Sequence, residues 1–327
     1  MTKKMNPEWL DFLKSTSAAT AENSTLQSSN TVTAITDLAI IEVSGKDAAQ
    51  FLQGQLTCNI NELTASNSFF AAFCNAKGRT ISTLLILKNN ESFLLILALE
   101  LLEKVIAKLR MYILRADVQL HNRLNNYCLM GLNSTDTSVI SHCPGSDFEV
   151  SNHSEITVKI PVKANRYLLI SGIDRAKQLW TELTQTQALA IAEPSRWRYQ
   201  DISSGLPWLD QESSEQYIPQ MLNIDKLGGI SFQKGCYTGQ EIIARTHYLG
   251  KTKRELFLAE CDKTALIENH MHIIDNNKQQ SVGNIISLQT DDQNCRMLIV
   301  IPSTASESNN LSVDNSTQDK IKLIAFQ

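Results

Sequence analysis

The chain has 327 residues, 43% hydrophobic and 6% aromatic, enough apolar material for two or three compact units. Its formal net charge of -4 and pI near 5.9 argue against a protein whose whole surface binds nucleic acid electrostatically, although local basic patches are compatible with them. Seven cysteines, odd in number and without CxxC spacing, read as reduced thiols of a cytoplasmic protein, and neither a disulfide framework nor a metal site is expected.

Residues 1–31 lack the continuous apolar run of a secretory signal. Trp9, Leu10 and Leu13 suit one helical turn, and the polar, Ser/Thr-rich remainder is expected to be a mobile tail, with folding proper beginning near Ala34. A strand over Ala39–Val43 and a helix over Lys46–Gln53 follow, the helix capped by Ser44 and stopped by Gly54. Phe69–Cys74 and Thr80–Leu87 read as paired strands about the turn Asn75-Ala76-Lys77-Gly78, with a third strand over Ser92–Ala98. Phe93–Leu102, the most apolar run, is too short to span a bilayer, so no membrane partner is expected. Leu101, Leu102, Val105, Ile106 and Leu109 then mark an amphipathic helix.

Strands near Val118–His121 and Tyr127–Leu132 lead into a polar, linker-like stretch, Asn133–Ser154. A hairpin over Ile156–Val162 and Tyr167–Ser171 and a helix over Asp174–Leu183 complete what reads as a second α+β unit. After Glu255 the pattern changes to short strands at Leu256–Glu260, Val282–Leu288, Met297–Ile301 and Ile321–Phe326, with Ser303–Gln318 as a polar loop and His270 and His272 alternating as strand residues do. A small β-barrel-like domain is the economical reading. The expected boundaries are 32–135, 136–254 and 255–327.

The chemistry concentrates in Ser231–Leu256, SFQKGCYTGQEIIARTHYLGKTKREL. Ser231–Phe232 reads as a strand end, and Gly235 and Gly239 permit backbone angles that other residues resist. A helix is expected from about Thr238 to His247, with Ile242, Ile243 and Thr246 on one face and Gly250 beyond its end. Cys236 then stands just ahead of a helix N-terminus and beside Lys234, two features that favour thiolate over thiol. A free cysteine is as often one more small buried residue. Lys251, Lys253 and Arg254, with Arg245 and His247, form the densest basic cluster, suited to RNA phosphates, to an acidic ligand tail or simply to solvent.

KGCYTGQE resembles the signature of the YgfZ family, folate-binding proteins related to the glycine-cleavage T-protein, an aminomethyltransferase. The resemblance extends through Gly205-Leu206-Pro207, Tyr217-Ile218-Pro219-Gln220, Leu222-Asn223 and Gly250 to Arg254, and more weakly through Val43–Thr57 and Asn75–Arg79. It implies an α+β, three-lobed GcvT-like fold: two intertwined α+β domains and a C-terminal β-barrel. It also implies a site for tetrahydrofolate or a derivative, to which Trp197, Tyr237, Gly239, Gln240 and Glu241 contribute. Cys236 would be the reactive residue, with Lys234 and Arg245 supplying positive charge. The implied role is support of iron–sulfur enzymes such as tRNA methylthiotransferases, with an indirect effect on tRNA modification and at most weak tRNA contact. The family often has glutamate where this chain has Ser203 and tryptophan where it has Leu38. The aminomethyltransferases carry an essential aspartate near the place of Ser82 and Thr83, and a hydroxyl cannot supply that fixed charge. A folate-dependent one-carbon transferase and a non-catalytic RNA or protein adaptor are the alternatives.

Overall fold

The computed structural model describes residues 6–20, 30–140, 142–161, 165–250, 252–262, 266–291, 294–308 and 310–327. Contacts divide the chain into two units, Met1–Ala48 with Glu62–Phe69 and Leu85–Trp197, and Ala49–Asn61 with Phe70–Leu84 and Arg198–Gln327. The chain therefore passes repeatedly from one unit to the other.

The first unit opens with helix α1 (Pro7–Thr20), longer than the single turn expected. Its anchor is Trp9, fully buried and packed edge-on against Trp180 with ring centroids 5.7 Å apart. Strand β1 (Thr31–Ile35) also precedes the expected start of the fold. It belongs to a sheet with β7 (Tyr127–Asn133), β8 (Val150–Asn152), β9 (Ile156–Lys159), β10 (Arg166–Gly172) and β11 (Ala190–Ile191), ordered β11-β1-β7-β10-β9-β8. The hairpin expected here is the antiparallel β9–β10 pair, and Val162, its anticipated inner end, lies outside the described residues. Residues 133–154 are not wholly a linker, because buried Val150 starts an edge strand on β9. Helix α4 (Ile173–Thr181) buries Ala176, Leu179 and Trp180.

The other α+β sheet is ordered β3-β4-β5-β2-β6, from β2 (Leu38–Ser44), β3 (Ser68–Cys74), β4 (Thr80–Asn89), β5 (Ser92–Ala98) and β6 (Gln119–Asn122). Helix α2 (Ala48–Gln53) follows β2. Helix α3 (Leu102–Arg110) buries Leu102, Val105, Ile106 and Leu109, the stripe that its periodicity marks. Helix α5 (Pro194–Ser203) contains Trp197.

In the second unit, helix α6 (Gln240–Leu249) leads into a closed barrel ordered β12-β15-β14-β13-β16-β17. Its strands are β12 (Arg254–Asp262), β13 (His272–Asp275), β14 (Gln280–Thr290), β15 (Asn294–Pro302), β16 (Leu311–Val313) and β17 (Lys320–Ile324). Ile273, Ile285, Met297, Ile299 and Val313 fill it. Strand β16 falls in the stretch expected to be loop, because buried Leu311 and Val313 bracket only one residue and give too short an alternation to stand out. His270 is not a strand residue: its φ is 67° and its Nε2 lies 2.7 Å from Asp210 Oδ2. The fold class is thus α+β with a C-terminal barrel, as pattern and resemblance implied. Among the described residues, no helix is long and apolar enough to cross a membrane.

Candidate functional site

The second unit brings together two stretches far apart in sequence, the turn between β3 and β4 and the loop ahead of α6. The turn is closed by Asn75, whose Oδ1 accepts from the main-chain N–H groups of Lys77 (2.9 Å) and Arg79 (3.1 Å). Asn75 Nδ2 donates to Glu215 at 2.7 Å, and Arg79 donates to the Gln216 carbonyl at 2.6 Å. Gly78 sits at the tip with φ 69°, and Gly239, at φ 84°, caps the start of α6 directly against it. Gly235, by contrast, has no left-handed angle and open space about its α-carbon, so its expected conformational demand is absent here.

Lys234 fixes the other end of the loop. Its buried ammonium donates to the carbonyls of Leu56 (2.8 Å) and Cys58 (2.7 Å) and lies 4.9 Å from the centre of the Tyr237 ring. Burial lowers its pKa from 10.5 to about 8. What Lys234 does in this structure is hold the loop to residues 56–58. Tyr237 is buried beside it, and burial raises the pKa of its phenol. Cys236, between the two, is exposed, whereas five of the other six cysteines are buried and Cys143 is partly covered. Ser231–Phe232 forms no strand.

Helix α6 presents Glu241, Arg245 and His247 to solvent, with Gln240 half-buried. Ile243 is buried but Ile242 is 38% exposed, so the two do not share the buried face as expected. Successive helical residues are rotated by about 100°, and Ile242 points instead toward Gly78. Gln220 Nε2 donates to the Ile243 carbonyl at 2.7 Å and Asn223 Nδ2 to the Leu256 carbonyl at 2.9 Å. These two amides, part of the family resemblance, thus tie the helix and the first barrel strand to the Pro219–Leu222 turn. Lys251 of the expected basic cluster lies outside the described residues, while Lys253 and Arg254 are exposed.

Ser82 and Thr83 are buried and occupied. Ser82 Oγ donates to the Thr83 carbonyl at 2.8 Å, and Thr83 Oγ1 donates to the Pro207 carbonyl at 2.6 Å while accepting from Leu209 N–H at 3.2 Å. Ser203 Oγ donates to the Tyr199 carbonyl (2.7 Å) and accepts from Arg296 (2.8 Å), which fastens α5 to β15.

Trp197 closes the first unit and is 3% exposed. The Arg166 guanidinium lies 3.6 Å from its ring centre and donates to its carbonyl at 2.8 Å. Gly131 leaves room for the indole, since a Cβ there would fall 2.1 Å from the ring. Sequence pattern does not single out Arg166, because nothing about an arginine inside a strand signals burial under an indole.

Three comparisons bear on this arrangement. The family model described as GCVT N-terminal domain matches residues 5–148. The tRNA-modifying protein YgfZ of Yersinia enterocolitica is 32% identical over 233 residues, covering 69% of this chain and 70% of the relative. That of Colwellia psychrerythraea is 32% identical over 228 residues, covering 68% and 69%. The chain belongs to the YgfZ family. As a member of that family it has the fold of the glycine cleavage system aminomethyltransferase T from Bartonella henselae, which superposes with a TM-score of 0.70, covering 90% of this chain and 85% of that one. At 14% identity this likeness concerns fold alone.

Proposed function

We propose that this YgfZ-family chain is a folate-binding accessory protein that supports tRNA modification, and that Cys236 carries its activity. The observation behind this reading is the isolation of one exposed thiol among seven, on a loop held by Lys234 on one side and by Gly239 on the other. A loop fixed at both ends costs little further ordering when its thiol engages a partner. The names of the two relatives support the link to tRNA modification. The clients proposed are iron–sulfur enzymes such as tRNA methylthiotransferases, reached in the cytoplasm, with Arg245 a positioning charge on α6.

Folate enters through the fold. The residues named for it fit in part: Glu241 is exposed and Gln240 half-buried, so both offer hydrogen-bonding groups, whereas the rings of Trp197 and Tyr237 are covered. When bound, tetrahydrofolate supplies amine nitrogens that carry one-carbon groups. The one-carbon transferase alternative is weakened because Ser82 and Thr83 offer no carboxylate and their hydroxyls are already bonded to main chain.

The test is rescue of tRNA methylthiolation in cells lacking this protein, by wild type and by Cys236→Ala at matched soluble levels. Rescue by wild type alone is the expected result. Equal rescue by the alanine variant would end the thiol reading, and tetrahydrofolate binding to both proteins separates ligand loss from thiol loss.

A further inference from the structure

Sequence and structure together place a cationic, aromatic surface on α6 and the start of β12, of which the thiol-centred reading uses Arg245 alone. Between Ile242 and Arg254 the chain carries Arg245, His247, Lys251, Lys253 and Arg254 and no carboxylate, in a protein whose net charge is -4. Arg245, His247, Lys253 and Arg254 are all exposed. Glu255, the next acidic residue, is engaged by Lys226 at 2.6 Å and by Ser303 at 2.9 Å, and Glu241 precedes Arg245 by about one helical turn.

The same segment holds a stack of rings. Phe232 lies on His247 with centroids 3.7 Å apart and planes inclined by 13°, and Tyr248 stands edge-on to His247 at 4.8 Å. Tyr248 is 65% exposed, so much of its ring is open to solvent beside the His247 and Phe232 rings. The positive surface also reaches the β3–β4 turn. Ile242 of α6 lies against Gly78 at the tip of that turn, and Arg79, the next residue, is anchored on the Gln216 carbonyl.

We propose that this surface binds single-stranded RNA, the Tyr248 ring stacking on a base while Arg245, Lys253 and Arg254 meet the phosphates. Base stacking on an exposed aromatic beside a run of cations is how sequence-tolerant single-strand binding works. An acidic peptide would use the cations and leave the ring stack unexplained. The proposal goes beyond the thiol reading and does not rest on it.

The experiment is fluorescence anisotropy of a labelled oligouridylate of about twelve nucleotides with the full chain, titrated at several salt concentrations. Wild type is expected to bind with a salt-dependent affinity. Tyr248→Ala is expected to weaken binding roughly tenfold while Tyr248→Phe keeps it. The triple change Arg245→Ala, Lys253→Ala, Arg254→Ala is expected to reduce the log–log salt slope by about two, at about 0.7 per single-strand phosphate contact. Cys236→Ala is expected to bind as wild type does, which separates this proposal from the thiol reading. No binding by wild type, equal binding by Tyr248→Ala, or tighter binding to a polyglutamate peptide than to the oligonucleotide would overturn it.

Discussion

Gly78 and Gly239 approach so closely that a Cβ added to Gly239 would lie 2.9 Å from the Gly78 α-carbon and 2.6 Å from the Asn75 carbonyl oxygen. Each also has a positive φ, 69° and 84°, which side-chain-bearing residues adopt at a cost. The start of α6 is thereby docked backbone to backbone on the β3–β4 turn at Gly239, with the Ile242 side chain alongside Gly78. Gly239→Ala is expected to destabilise the protein by about 2–3 kcal/mol through backbone strain and overpacking together. Gly78→Ala should cost a similar amount, since its Cβ would meet that of Ile242 at 2.9 Å. The double variant should cost less than the sum, because both changes spoil one contact. Urea denaturation of the three variants reads this, and strict additivity would show the two glycines to be independent.

Lys234 makes stability depend on pH in a direction opposite to an exposed salt-bridged lysine. Its pKa is about 8 in the folded chain against 10.5 for an ordinary lysine, because burial penalises the ammonium. Between those values the unfolded chain binds more protons than the folded one. This contribution to stability is therefore greatest above 10.5 and is lost as pH falls through about 8. Taking Lys234→Met as the reference cancels the other titrating groups. The stability of wild type relative to that variant is expected to increase by about 2 kcal/mol between roughly pH 7 and 9.5. A flat difference would mean that the ammonium is not desolvated.

Some of this site is legible in the sequence, for a physical reason. The KGCYTGQE loop and α6 announce themselves through glycines and a short apolar period, and α3 through a clear stripe of Leu102, Val105, Ile106 and Leu109. Helix α5 does not, because Arg196-Trp197-Arg198-Tyr199 alternates charge with ring and shows no helical period. The task of Lys234 was equally hidden. Its partners are main-chain carbonyls of Leu56 and Cys58, more than 170 positions away, and a carbonyl carries no residue identity that a pattern could register. Tertiary proximity likewise decides Trp197, whose ring is covered by Arg166 of β10.

The Trp197 environment has its own consequence. Gly131→Ala would drive a methyl to within 2.1 Å of the indole, so the ring must leave its seat or β7 must bend. A loss of about 2–3 kcal/mol is expected, together with a fraction of tryptophan emission that becomes quenchable by acrylamide. Unchanged quenching would show that the strand, not the indole, yields. If Trp197 contacts folate only after such a movement, the variant should bind tetrahydrofolate no more weakly than wild type, and loss of binding would show that the seated indole is the one that matters.

Cys236 offers the sharpest contrast in reactivity. Alkylation requires an accessible thiolate, and Cys236 is the exposed member of the seven. Burial holds Cys74 and Cys128 protonated well into the alkaline range, each pushed up to about 12. Under native conditions iodoacetamide is therefore expected to modify Cys236 first and stop at one equivalent, the others following only on unfolding, as peptide mass spectrometry can follow. Cys236→Ala removes an exposed side chain with no packing role and should change stability by less than about 0.5 kcal/mol. A larger loss would mean that failure of this variant in the rescue assay reflects folding and not chemistry, so the stability measurement must accompany the functional one. Comparable labelling of a second cysteine would instead reveal local opening of the covered thiols, and the assignment of activity to Cys236 would lose its distinguishing observation.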